Sequence, residues 1–242
     1  MSPTRGSPIV RVPSLILAAA GAALIAPAAL PAPATAVPPR ERPAARDEGG
    51  VTAADLLART DTCTELSRGR YRTDADSPAT VPVCGTDDAV FWKADLDVDC
   101  DGRPTIHCNS STDPVFAPTT AFQQSDGLHL NAEKLPYVVV PAPSARWDYR
   151  AHGIRGGSVA AVVHGDRVQY AVVGDTGPSD LIGEASYATA QGLGIDPDPL
   201  TGGAPSDVTY ILFRNSLITP IEDHEEAVTT GERLARQFLT TD

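Results

Sequence analysis

Asp175 and Glu184 stand nine positions apart in the stretch Tyr170–Ala190, YAVVGDTGPSDLIGEASYATA. Each follows a glycine, Gly174 or Gly183. The apolar run Ala171–Val173 stops at Gly174, which sets Asp175 at the end of a buried strand. Glu184 comes after a short loop holding Gly177 and Pro178, and before a small-residue run read as a helix over 186–192. Hydrolysis by acid and base needs two carboxyl groups facing each other, one protonated and one ionised. Taken singly, either residue is an ordinary turn cap or a solvated side chain. The pairing and the flanking glycines single them out.

A second acidic pattern lies upstream. Asp95, Asp97, Asp99 and Asp101 recur at period two, the spacing that puts alternate side chains on one face of a strand. The run Asp97 to Gly102 also resembles the start of a calcium loop. Counted from Asp97, position twelve is Cys108 where an EF-hand needs Glu, so that motif is rejected. The row reads either as an exposed acidic edge strand or as carboxylates lining a groove for a cationic polymer.

Other chemistries find no support. No G-x-S-x-G elbow and no Gly-rich phosphate loop occur. His224-Glu225-Glu226 opens like a zinc-protease motif, but position 228 is Val. His107, His129, His152 and His164 are scattered and read as ordinary residues. The chain has no C-x-x-C pair for zinc, and neither a metal nor a cofactor is expected.

The elements that must position these groups follow from the rest of the chain. Met1–Ala36 carries Arg5 and Arg11, an apolar run from Leu15 to Ala26, and the small-x-small site Ala34-Thr35-Ala36. This is the pattern of a secretory signal peptide, too short and Ala-rich for a membrane anchor. A secreted, extracellular protein is therefore expected. The Pro- and Arg-rich segment 37–50 reads as a flexible linker, and 51–242 as a single domain. Removing Arg5 and Arg11 leaves 17 basic groups against 31 acidic ones. That balance disfavours nucleic acid and favours a cationic partner. Membrane contact is not expected, and the domain is read as a monomer.

Cys63, Cys84, Cys100 and Cys108 are an even set in a secretory context, which reads as disulfides. Of the three connectivities, Cys63–Cys84 with Cys100–Cys108 is favoured because short loops close most easily. Thr52 caps a helix over 53–58. Strands are read at 136–141, 159–164, 167–173 and 208–213, the second and third joined as a hairpin by Gly165-Asp166, and the stretch 89–102 has the period-two spacing of a strand. Residues 105–127 form a long ordered loop, and 224–238 an amphipathic helix interrupted at Gly231. The high Gly and Pro content, 20 and 22 residues, favours a mainly β protein with a few short helices, of the α+β class.

Several of these blocks together resemble the glycoside hydrolase family 75 chitosanases. They are Phe91-Trp92-Lys93 with Asp97 to Gly102, Leu135 to Pro141, Val173 to Pro178 with Ile182 to Ser186, and Val208 to Phe213. The resemblance covers roughly Val51 to Ser216, and the GDTGP…IGEAS block is its most specific part. It implies an endo-acting, inverting enzyme that cuts β-1,4 bonds between the glucosamine units of chitosan. It further implies that Asp175 and Glu184 are its two essential acids. The GDTG strand end is also similar to that of double-psi β-barrel glycan-cleaving domains, which implies a disulfide-stabilised, six-stranded barrel of that kind. On this reading Glu184 is the general acid and Asp175 the general base. Asp97, Asp99 and Asp101 bind ammonium groups, and Trp92, Tyr137 and Tyr187 stack on sugar faces. The competing readings are a non-catalytic polysaccharide-binding module and a peptidoglycan-cleaving enzyme on the same barrel.

Overall fold

The computed structural model describes residues 48–241. The expected signal peptide and all but the last three residues of the expected linker lie outside them. Those three are anchored. Tyr170 N donates to Glu48 Oε2 at 3.0 Å, and Gly50 N donates to Glu232 Oε1 at 2.9 Å. Among the described residues no helix is long and apolar enough to cross a membrane.

The described residues form seven strands and three α-helices, with one 3-10 turn at Tyr149–His152. They are α1 (Ala53–Arg59), β1 (Cys84–Gly85), β2 (Ala89–Asp99), β3 (Tyr137–Pro141), β4 (Val159–His164), β5 (Arg167–Gly177), β6 (Glu184–Ser186), α2 (Tyr187–Gly192), β7 (Ala204–Phe213) and α3 (His224–Thr240). Thr52 caps α1 by accepting from Asp55 N, and Ser186 caps α2 by accepting from Thr189 N. Strands β2-β6-β3-β5-β4-β7 are hydrogen-bonded in that order, and β7 pairs with β2. This closes a six-stranded barrel, with no free edge along its circumference. The β2–β6 and β3–β5 pairings are parallel and the others antiparallel.

Alternation along each strand divides the apolar residues between two cores. Val90, Trp92, Leu96, Val138, Val140 and Tyr210 are among those filling the barrel interior. Phe91, Val159, Ala161, Val163, Phe213 and their neighbours face outward and are covered by Leu56 of α1 and Phe238 of α3. The disulfides pair Cys63 with Cys84 and Cys100 with Cys108, as loop closure favours.

The structure departs from the sequence expectations in three places that matter. Strand β5 continues past Val173 to Gly177, so Asp175 lies on the strand itself. Glu184 opens a short strand before the helix, because β2 offers it a parallel partner. Helix α3 runs unbroken through Gly231. There the missing side chain lets the helix approach the ring of Tyr170, 2.3 Å from where a Cβ would sit.

Candidate active site

The sheet order sets β6 and β3 side by side between β2 and β5. Asp97 on β2 is level with Glu184 on β6, Ala185 with Val138, and Val139 with Asp175. Asp97, Glu184, Val139 and Asp175 therefore form one row across four strands on the outside of the barrel.

Asp175 reaches that face because of a bulge. Val138 pairs with Val173 but Val139 pairs with Asp175, which leaves Gly174 as an extra residue in β5. Strict alternation would turn Asp175 inward, since Ala171 and Val173 face the interior. The extra residue reverses the phase, as bulges beside functional sites do. Gly174 suits the position: a Cβ there would lie 2.6 Å from Tyr137 Cβ and 2.7 Å from Leu130 Cδ1.

Around the row runs a groove of about 520 Å³. Asp97, Asp99, Asp101, Asp113, Asp175 and Glu184 line it, with Val115, Val139 and Leu181 among the apolar walls. No Lys, Arg or His is among the described lining residues. The loop after β2 forms one wall and is tied down by site carboxylates. Asp101 accepts from Ala117 N at 2.7 Å, and Asp175 Oδ1 from Ala121 N at 2.8 Å. Thr176 N also donates to Asp175 Oδ1, at 2.7 Å.

Burial raises the proton affinities of both central acids, and their neighbours oppose that rise at one of them only. Burial pushes Glu184 up to about 7, with Asp97, Asp101 and Asp175 adding repulsion. Burial also raises Asp175, but the two backbone N–H bonds and His129 oppose the rise. The groove therefore holds one carboxyl with a proton near neutrality and one prepared to lose it. Asp101 rises to about 6, and Asp99 is held well above the ordinary Asp range, both chiefly through burial.

Asp97, Asp99, Asp101, Asp175 and Glu184 thus come together, whereas the three aromatic residues expected to stack on sugars do not join them. Trp92 is 1% exposed and stacks on Tyr210 inside the barrel, with ring centroids 5.4 Å apart. Tyr137 is fully buried, and its hydroxyl donates to Asp101 O at 3.0 Å. Tyr187 is outside the groove and stacks on His107. The stacking expectation is corrected for Trp92 and Tyr137, which burial keeps from any sugar. Trp92→Ala is expected to lower stability by about 3–5 kcal/mol, as for any large buried ring. A melting curve checks this, and Trp92→Phe should leave affinity for polysaccharide unchanged.

Sequence reading did not pick out Asp113 or the role of His129. Asp113 sits in a long loop without periodicity, and only the fold brings it to the groove wall. His129 accepts from Thr120 N at 2.9 Å and so steadies the segment that donates to Asp175. No local signal marks either residue.

Residues 96–237 match the family described as fungal chitosanase of glycosyl hydrolase group 75. An endo-chitosanase of Aspergillus oryzae is 33% identical over 138 residues, 52% of this chain and 56% of that protein. An endo-chitosanase of Aspergillus fumigatus is 30% identical over 170 residues, covering 64% and 71%. Endo-chitosanase B of Aspergillus oryzae is 30% identical over 158 residues, covering 57% and 66%. The chain spans little more than half the length of the first of these relatives.

Proposed function

The chain belongs to glycosyl hydrolase group 75, and we propose that it is a secreted endo-chitosanase that hydrolyses β-1,4 bonds between glucosamine units with inversion. The observation that carries this reading is the Glu184–Asp175 pair, set across β3 in a groove lined by six carboxylates. A polymer of ammonium-bearing sugars neutralises such a groove, whereas a neutral acylated glycan would leave its charges unpaired. The two disulfides fit an extracellular location.

Inversion is the stereochemistry that the family resemblance implies. Glu184 Oε2 lies 2.5 Å from where a Cβ of Gly177 would be, so its carboxyl lies beside β5, the strand that carries Asp175. An inverting pair stands roughly 6.5–9.5 Å apart, which admits a water between acid and base, against roughly 5–5.5 Å in retaining enzymes.

In the proposed mechanism Glu184 donates its proton to the glycosidic oxygen as the bond to C1 breaks. Asp175 takes a proton from a water that attacks C1 from the opposite face. Its two backbone N–H bonds oppose the effect of burial by favouring the ionised form, and they hold its orientation. Asp97, Asp99 and Asp101 face the amines of the bound chain, and the protein acts as a monomer.

Reducing-end release and viscosity loss on deacetylated chitosan test the activity. Proton NMR of the earliest products tests the stereochemistry, and the α-anomer is expected to form first. A first-formed β-anomer would overturn inversion. Chitosan bound but never cut would leave a binding module instead.

A further inference from the structure

On β2 the row of groove residues ends at Asp97, and a second acidic cluster begins there. Asp95 lies two residues back on the same outward face. Asp74 comes from the loop between α1 and β1, which is fastened beside β6 where Ile182 N donates to Arg72 O at 3.0 Å. One carboxylate oxygen from each of Asp74, Asp95 and Asp97 lies within 4.8 Å of the others.

Asp95 is the unusual member. It is 6% exposed, and its Oδ1 is buried with no hydrogen-bond partner. An ionisable oxygen buried without a partner is costly and calls for a cation or a donor. The fold makes room for it: a Cβ on Gly183 would lie 2.0 Å from Oδ1, and Gly183 has φ +121°. The basic side chains next to the cluster are engaged elsewhere, Lys93 with Asp207 at 2.8 Å and Arg72 with Asp180 at 3.7 Å. Asp74 and Asp97 are exposed, so the cluster has a buried floor and an open rim.

We propose that Asp74, Asp95 and Asp97 form a subsite for the ammonium group of the glucosamine unit on the β2 side of the cut. This rests on the chitosanase reading and adds to it the residues that read a free amine at one defined sugar. An ammonium nitrogen has three N–H donors once it is attached to carbon, and the cluster offers three acceptors. Charge-assisted N–H···O contacts of about 2.8 Å radiating tetrahedrally from one nitrogen put their acceptors about 4.6 Å apart. The three oxygens lie within 4.8 Å of one another, close enough for one nitrogen to reach all three. An acetamido group in the same place supplies one donor and no charge. It would leave Asp95 unpaired, so acetylated units are rejected there.

The test compares the full-length wild type with Asp95→Asn and Asp74→Asn. Each acts on partially acetylated chitosan, and the units flanking every cut are identified by mass spectrometry. Binding of fully deacetylated hexamer is measured by calorimetry in a Glu184→Gln background. The wild type should show glucosamine alone at one of the two flanking positions. Both variants should admit acetylated units at that position and bind the hexamer about tenfold or more weakly. Unchanged cut sites and affinities in both variants would overturn the subsite while leaving the chitosanase reading intact. Should Asp95→Asn misfold by circular dichroism, Asp74→Asn, on the exposed rim, decides alone. A wild type that neither binds nor cuts chitosan would overturn the enzyme reading itself, and the subsite with it. Calcium titration is the remaining arm. Calcium binding lost in Asp95→Asn, with hexamer affinity unmoved, would make the cluster a metal site and overturn the proposal.

Discussion

Glu184→Gln is expected to lower kcat on chitosan by about 10²–10⁴ while leaving the fold and KM close to those of the wild type. The amide fills the same space but has no acidic proton to give to the glycosidic oxygen. Asp175→Asn should lose a comparable factor for the complementary reason, since an amide cannot take a proton from water. The two variants differ in how their residual activity depends on pH. In the wild type, kcat/KM should fall on the basic side as Glu184 loses its proton near 7. It should fall on the acidic side as Asp175 gains one, above the ordinary Asp value. The two limbs belong to a coupled pair, so they shift together when either member is neutralised. Glu184→Gln removes the basic limb and Asp175→Asn the acidic one. A basic limb that persists in Glu184→Gln would mean that another group holds the proton.

The same substitution also has a thermodynamic signature. The pKa of Glu184 is raised on folding, from 4.5 to about 7. Its ionisation therefore disfavours the folded state, and wild-type stability falls as pH rises from about 4.5 through 7. Glu184→Gln has no such ionisation. Its melting temperature should exceed that of the wild type above pH 7, and the two should converge below pH 4.5. Loss of activity with gain of stability would separate a chemical role from a structural one.

How much of this site the sequence discloses depends on which contacts are local. The pair Asp175 and Glu184 is legible because glycines, strand end and carboxylates lie within one short stretch. Both disulfides are legible because each closes a short loop. The period-two row is legible too, and it carried an unused message about Trp92. Trp92 is out of phase with Asp95, Asp97 and Asp99, so the alternation that sends those acids outward sends Trp92 into the barrel. Tyr137 could not be read in this way. It shares the outward face with Val139, and only the loop of residues 100–135 folding over it makes it core. The bulge at Gly174 is equally invisible from within β5, because it exists only relative to the register of β3. Asp74 and Asp113 reach the site through loops whose course is set by tertiary contacts. Periodicity says which residues share a face. Which face is covered, and by what, is decided by partners distant in the chain.

Gly177→Ala should damage catalysis severely, although it removes no ionisable group. Gly177 is not in the left-handed region, so alanine suits its backbone, and the effect must come from space. The added methyl group would sit 2.5 Å from Glu184 Oε2 and 3.2 Å from Val139 Cγ1. The first distance is shorter than any real contact allows and the second is tight, and Val139 is held within β3. Glu184 has the freer side chain, so its carboxyl is the group that moves, by on the order of 1 Å. Displacing a catalytic group by that much costs on the order of 10²-fold in rate. The expected result is a kcat lowered by about 10² with KM little changed and a melting temperature within a few degrees of wild type. A rate near that of the wild type would show that the carboxyl seated against Gly177 is not the one that delivers the proton.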